Sequence, residues 1–266
     1  MNGEIKSLLD LSKLTASLAL DKLNEIDRQQ GSKSYNFSSD VPREMKAAAD
    51  IIIENLILEK LTPTGIDILS EEAGLLKGSD KSLLKFIVDP IDGTVNFVRG
   101  IAKCSISIAL FDGDKAIFGV IATFPEGGIA WGGKGIGSFV EGATLSVSSI
   151  FEAKKGVLCT GFPSRFNFDA QSMSSQMNLM SFFAKIRMIG SASQSLLQVA
   201  RGSVDCYVEQ EIMLWDVAAG IAIVEGSGGK VKIEKGSIEL SLNIFADNGT
   251  SILNKIRRYK CIQLKK

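Results

Sequence analysis

The sequence predicts a layered fold of mixed helices and strands, α/β or α+β, and three observations carry that reading. Residues 4–30 repeat apolar side chains at helical spacing. Residues 86 to about 148 shift to short β-branched runs punctuated by glycine. Beyond 156, helical and strand-like segments mix without strict alternation. At 266 residues the chain can form one large domain or two modest ones. It is long enough to bury a full core without a disulfide or metal staple.

Ile5, Leu8, Leu9, Leu14, Leu18, Leu23 and Ile26 predict one long amphipathic helix over 4–30, ended by Gly31-Ser32. Ser38-Ser39-Asp40 offers capping oxygens to a second helix, and Pro42 suits its first turn. Met45, Ala48, Ile52 and Leu56 supply its apolar stripe, and it stops before Pro63. Phe86-Ile87-Val88 is a short strand running into Asp89. Segments 104–111 and 115–123 flank Asp112-Gly113-Asp114, a hairpin signal. Glycine-rich punctuation at 127–137 precedes shorter strands up to about 148. There the chain divides into an N-terminal subdomain, 1–148, and a C-terminal one, 149–266. An apolar piece follows at 156–160, then a helix at about 192–201 closed by Gly202, a strand at 204–208 and a helix at about 216–225. There is no internal repeat, low-complexity tract or long linker.

Composition excludes several functions. Thirty basic residues balance thirty acidic ones, so no bulk charge draws the chain to nucleic acid. The N-terminus lacks the pattern of a signal peptide, and no apolar run is long enough to span a membrane. The expectation is a cytoplasmic protein without membrane or nucleic-acid partners. There is no histidine, which removes imidazole catalysis and every histidine-ligated metal. Cys104, Cys159, Cys206 and Cys261 lie 55, 47 and 55 residues apart, too far for zinc or iron–sulfur pairs. They read as reduced packing residues. Catalysis must come from carboxylates, hydroxyls, amines or oxygen-ligated metals.

Three segments supply those groups. In Asp89-Pro90-Ile91-Asp92-Gly93-Thr94 the strand ends at Asp89, Pro90 fixes the chain direction and Gly93 permits a turn. Ser70-Glu71-Glu72-Ala73-Gly74 follows an apolar run, and Trp215-Asp216-Val217-Ala218-Ala219-Gly220 opens an apolar helix. Each alone has a plain reading: a turn, a solvated acidic loop, and an acid capping the positive end of a helix. If the three meet, Glu71, Asp89, Asp92 and Asp216 bring four negative charges into one cleft. Charges so placed destabilise unless neutralised, and with no histidine available the partner is a hard divalent cation. A pair of magnesium ions would cancel the charge and suit phosphoryl chemistry.

These motifs resemble the signatures of the inositol monophosphatase family: Glu71-Glu72, Asp89 to Thr94 with Asn96-Phe97 downstream, and Trp215 to Gly220. Thr160-Gly161-Phe162-Pro163, Gly190-Ser191-Ala192 and Gly228-Gly229 extend the likeness, which runs from Lys33 to about Val231. The resemblance implies an αβαβα sandwich of the sugar-phosphatase type, a homodimer, and magnesium-dependent, lithium-sensitive hydrolysis of a small phosphate monoester. By that resemblance Glu71, Asp89 and the Ile91 carbonyl hold one metal, and Asp89, Asp92 and Asp216 hold another. Thr94 contacts the water that attacks in line, the Gly93 and Thr94 amides approach the phosphate, and Asp92 and Asp216 also face the substrate. Such proteins carry Val-Thr-x-x-Asp on the second helix, whose aspartate supports a third metal and the threonine hydroxyl. Counting back from Pro63 places Ala47 there, with Glu44 and Asp50 three residues to either side. Either could partly substitute; the departure puts the third metal in doubt, and Glu71 becomes the better candidate base. Lys33 matches a lysine of the preceding loop.

Within the family, Glu209 stands seven residues before Asp216, where inositol monophosphatases use a glutamate to accept a sugar hydroxyl. Val95-Asn96-Phe97 also resembles that branch, whereas Leu61-Thr62-Pro63 and Leu69-Ser70-Glu71-Glu72 resemble the bisphosphate nucleotidases. Fructose bisphosphatases are a further branch. Arg165 and Arg187 are candidate contacts for a second phosphate or a partner subunit, or plain surface cations. Tyr207 and Trp215 read as core. A different class of function, a non-catalytic regulatory protein, is the alternative to the phosphatase.

Overall fold

The structure is a computed structural model that describes residues 2–30, 36–37, 45–46, 48–164, 166–250 and 252. Helix α1 (Gly3–Gln30) is followed by the two-residue strands β1 (Asn36–Phe37) and β2 (Met45–Lys46), which pair with each other, and by helix α2 (Ala48–Leu61). Strands β3 (Asp67–Ser70), β4 (Gly74–Leu76) and β5 (Leu84–Asp92) lead to the short helix α3 (Thr94–Arg99). Strands β6 (Cys104–Asp112), β7 (Lys115–Phe124), β8 (Ile129–Gly133), β9 (Gly137–Val140) and β10 (Ala143–Thr144) follow as a meander. The rest comprises β11 (Val157–Thr160), α4 (Ala170–Ser181), β12 (Lys185–Arg187), α5 (Ala192–Ala200), β13 (Cys206–Met213), α6 (Leu214–Gly226), β14 (Lys230–Lys235) and β15 (Ser241–Asp247).

Two sheets form. The larger has eight strands in the order β10-β9-β8-β7-β6-β5-β3-β4, antiparallel except for the parallel pair β3 and β5. The smaller has five, β12-β11-β13-β15-β14, with β12, β11 and β13 parallel. Helices α1 and α2 cover one face of the large sheet, burying Leu23, Ile53, Ile57 and Leu61 against Phe86, Ile106, Ile108 and Phe118. Helices α5 and α6 lie between the sheets, where Leu196, Leu197, Val217 and Ile221 pack with Ile87, Ile121, Tyr207 and Ile244. Leu179 of α4 and nearby Phe183 close the far face of the small sheet over Leu158, Val208 and Phe245. The layers are therefore αβαβα. Each fully buried leucine or isoleucine contributes about 2 kcal/mol of transfer free energy, and three apolar clusters hold the layers together.

The hairpin at Asp112-Gly113-Asp114 forms as expected, and α5 and α6 fall close to the expected helices. Other expectations need correction. Leu14 and Leu18 point outward, and the buried stripe of α1 runs through Ala16, Ala19 and Leu20 instead. Small residues carry the seam where the leucines drift off it. Helix α2 begins at Ala48, and its buried apolar face is Ala49, Ile53, Ile57 and Leu61. Of the expected stripe, Ala48 and Ile52 are exposed, Leu56 is half-buried against the core, and the Met45 side chain lies outside the described residues. The run Ile51-Ile52-Ile53 is apolar on every side, so periodicity could not choose the face. The strand expected at 204–208 runs from Cys206 to Met213.

Candidate active site

The site lies where both sheets deliver their strand ends. Strand β3 runs parallel to β5 with Ser70 opposite Val88, and the Glu71 amide donates to the Val88 carbonyl at 3.3 Å. Glu71 therefore emerges beside Asp89. The β5–β6 register shifts between Asp89 and Asp92, and such an irregularity re-aims side chains at a strand end. Asp89 Oδ1 accepts from the Ile91 amide at 3.0 Å, closing a tight turn over Pro90. From the other half, Asp216 stands in the first turn of α6 and accepts from the Met213 amide at 3.2 Å. That bond is the helix-capping role open from sequence; it does not prevent the carboxylate from facing the site.

Ligand atoms of Glu71, Asp89 and Asp216 all lie within 4.8 Å of one another. Burial, then the charges of Glu71, Asp92, Asp216 and Asp50, holds Asp89 well above the usual carboxylate range. Burial and the neighbouring Glu71 and Asp92 raise Asp216 in the same way. Asp89 Oδ2 is buried with no hydrogen-bond partner. An orphaned carboxylate oxygen among converging acids fits a hard cation with oxygen ligands, the same class that the sequence pointed to.

Asp92 stands beside this triad, turned into the other half of the molecule. Its Oδ2 accepts from the Ser191 hydroxyl at 2.6 Å, the Ser193 amide at 2.7 Å and the Ser193 hydroxyl, and Oδ1 accepts from the Ala192 amide at 3.2 Å. These donors form the start of α5, and they oppose the upward shift that burial imposes on Asp92. Ser193 Oγ also lies 2.5 Å from Ser105 Oγ. Gly93 takes φ +92°, and a Cβ there would sit 3.1 Å from the Gly190 carbonyl oxygen and 3.2 Å from Ser191 Cβ. Both the conformation and the close approach of the two halves demand glycine. Asn96, buried, donates to the carbonyls of Lys103 at 2.9 Å and Ile189 at 2.8 Å, tying α3 to the same approach.

The Thr94 hydroxyl lies 3.2 Å from Asp50 Oδ1 and 3.0 Å from the Ile91 carbonyl oxygen. Asp50 is buried on the first turn of α2. Ungapped counting puts Ala47 at the position of the family's aspartate; of the two substitutes it offers, Asp50 is the one that meets Thr94. Ala47 itself, with Lys33, Glu44 and Arg165, lies outside the described residues. Arg187 is on β12, exposed, with its guanidinium on the Ile186 carbonyl at 2.9 Å.

Glu209 sits on β13, buried, with Oε2 accepting from the Tyr207 hydroxyl at 2.8 Å. A Cβ on Gly161 would lie 2.7 Å from that carboxylate, so β11 delivers bare backbone to Glu209. Burial pushes Glu209 up to about 7. Tyr207 is core, as expected, yet its hydroxyl also fixes Glu209. Sequence reasoning missed the partners Ser191, Ser193 and Ser105, whose spacing carries no signal until the sheets are assembled. It also missed Glu54, although Asp50-x-x-x-Glu54 is a one-turn acidic pair on a helix face. Cys104, Cys159 and Cys206 are free and buried; burial raises all three thiols, Cys159 to about 12, which makes them poor nucleophiles.

The model of the inositol monophosphatase family matches residues 8–258. An inositol-1-monophosphatase of Caulobacter vibrioides is 34% identical over 194 residues, 69% of this chain and 73% of that protein. A protein of Pasteurella multocida named Nus factor SuhB is 32% identical over 208 residues, 75% of this chain and 78% of its own length. The crystal structure of the extragenic suppressor protein suhB from Bartonella henselae superposes with a TM-score of 0.84 at 28% identity, covering 96% of this chain and 98% of that one.

Proposed function

The chain belongs to the inositol monophosphatase family, and we propose that within it the protein is a magnesium-dependent phosphomonoesterase acting on inositol monophosphate or a closely similar phosphorylated polyol. The observation that carries this reading is the buried, unpartnered Asp89 Oδ2 among the converging acids Glu71 and Asp216. Glu71, Asp89, the Ile91 carbonyl, Asp92 and Asp216 would hold a pair of cations. When bound, magnesium supplies Lewis acidity toward the phosphoryl oxygens and the attacking water.

The chain's own groups do the rest. The Thr94 hydroxyl directs its single proton toward Asp50 or Ile91, which leaves a lone pair to accept from a water and aim it. Asp50 then takes a proton through Thr94, so that Asp50 rather than Glu71 is proposed as the base. The Gly93 turn exposes amides to the phosphate. Glu209 accepts a hydroxyl of the polyol, its carboxylate held in place by Tyr207. In the same reading Asp92 and Asp216 line the substrate side. We further propose two subdomains, 1–148 and 149–266; the eight-stranded sheet drawing on strands up to Thr144 and the five-stranded one on strands from Val157 onward support this division. We also propose a homodimer in the cytoplasm; no described helix is long and apolar enough to cross a membrane.

Phosphate release tests the reading, with magnesium present or chelated, on inositol 1-phosphate, phosphoadenosine phosphate and fructose 1,6-bisphosphate. Magnesium-dependent release, with the highest kcat/KM on inositol 1-phosphate, is expected. A higher value on either of the others assigns the nucleotidase or bisphosphatase branch. The relative named a Nus factor favours a second reading, a regulatory protein. Folded protein inactive on a broad phosphate panel would favour that one instead.

A further inference from the structure

Asp50 and Glu54 stand one turn apart on α2, both buried, and they serve different parts of the site. Asp50 meets Thr94. Glu54 Oε1 accepts from the Ser70 hydroxyl, from the Glu72 amide at 3.2 Å and from the Ala73 amide at 3.1 Å. Those donors bracket Glu71 on both sides: the last residue of β3 and the two residues that follow Glu71. A carboxylate is costly to bury unless hydrogen-bonded, and here one oxygen collects three donors from a single turn. The turn is thereby fixed as a unit against a helix that packs on the large sheet. The direction in which Glu71 leaves the turn is fixed with it.

We propose that Glu54 is a positioning residue for the metal centre: it makes no contact with substrate, and it sets the affinity of the site by holding Glu71 beside Asp89. The proposal rests on the reading of Glu71, Asp89 and Asp216 as metal ligands. Partners that orient ligands typically change metal affinity by about 10- to 100-fold when removed.

The test is Mn2+ binding to the full chain, followed by electron paramagnetic resonance and without substrate, with melting temperature recorded in EDTA. Glu54→Ala should weaken the tightest site about tenfold or more, and Glu54→Gln, whose amide oxygen can accept the same bonds, should stay within about threefold of wild type. Asp205→Ala is the control. Asp205 is an analogous brace just before β13, accepting from the Val157 amide at 2.7 Å and from the Ser148 hydroxyl. Its loss should lower the melting temperature and leave Mn2+ affinity unchanged. Folded Glu54→Ala that binds Mn2+ like wild type would overturn the proposal, as would an equal loss of affinity in Asp205→Ala. Should Glu54→Ala fail to fold, Ser70→Ala removes one donor and should still weaken binding; wild-type affinity in that variant overturns the idea. Wild-type protein that binds no Mn2+ would instead remove the metal reading itself.

Discussion

Replacing Asp89 by asparagine should stabilise the metal-free protein while abolishing its function. At the 4.8 Å limit of the triad, an effective dielectric of about 20 gives about 3.5 kcal/mol of repulsion for each ionised pair. Proton uptake relieves part of this, because burial and like charges hold Asp89 above its ordinary range. Its folded pKa exceeds its unfolded one. Its contribution to stability is therefore complete below the unfolded pKa and is lost as pH rises through the folded pKa. The carboxamide does not titrate, and its Nδ2 can donate to the Glu71 or Asp216 carboxylates. At pH 8 in EDTA, Asp89→Asn should gain about 2 kcal/mol, or about 4–8 °C in Tm for a chain of this size. Magnesium reverses the order: at about 100 times Kd it should add about 2.7 kcal/mol to wild type and little to the variant. Melting curves in EDTA and in magnesium, with phosphate release on the same samples, measure both halves. A lower Tm for the variant in EDTA, or an undiminished response to magnesium, would refute the reasoning.

Other expectations follow from neighbouring groups. Asp50→Asn should cut kcat by about 100-fold or more with little change in KM, since it removes the proton acceptor behind Thr94 and keeps its shape; steady-state kinetics on inositol 1-phosphate decide it. Burial holds Glu209 at about 7 against an ordinary 4.5, so stability is lost as pH rises through about 7. Glu209→Gln should remove about 3 kcal/mol of the loss between pH 4 and 8.5 in EDTA, read as the difference from wild type in urea denaturation. Equal pH slopes in the two proteins would refute that. Gly161→Ala should raise KM for inositol 1-phosphate about tenfold with kcat nearly kept, because the new Cβ would meet the Glu209 carboxylate at 2.7 Å.

Much of the site was legible because its chemistry is concentrated in short segments. Asp89 to Thr94 draws attention through Pro90 and Gly93, residues suited to its backbone geometry, whereas Glu71 and Asp216 each read alone as a loop acid and a helix cap and gain a role only from the resemblance to the family's motifs. Asp50 stood only as one of two substitutes for Ala47, because counting without gaps could not show that α2 starts at Ala48 and turns Asp50 inward on its first turn. The engagement of Asp92 by Ser191 and Ser193 spans about 100 residues of sequence, and no local pattern announces such a contact. Helix α4 went unseen because Ala170–Ser181 is rich in serine, glutamine and methionine, with only Gln176 and Leu179 buried. Strand β14 was the more readable miss: Lys-Val-Lys-Ile sets apolar residues at period two, as strands commonly do, although Ile233 is exposed in the structure.

The most direct test is a crystal structure of the protein grown with Mn2+, recorded for anomalous scattering. The account predicts anomalous density between Glu71, Asp89 and Asp216, within bonding distance of Asp89 Oδ2. Mn2+ bound elsewhere, with that oxygen taken by a lysine or a buried water, would contradict it.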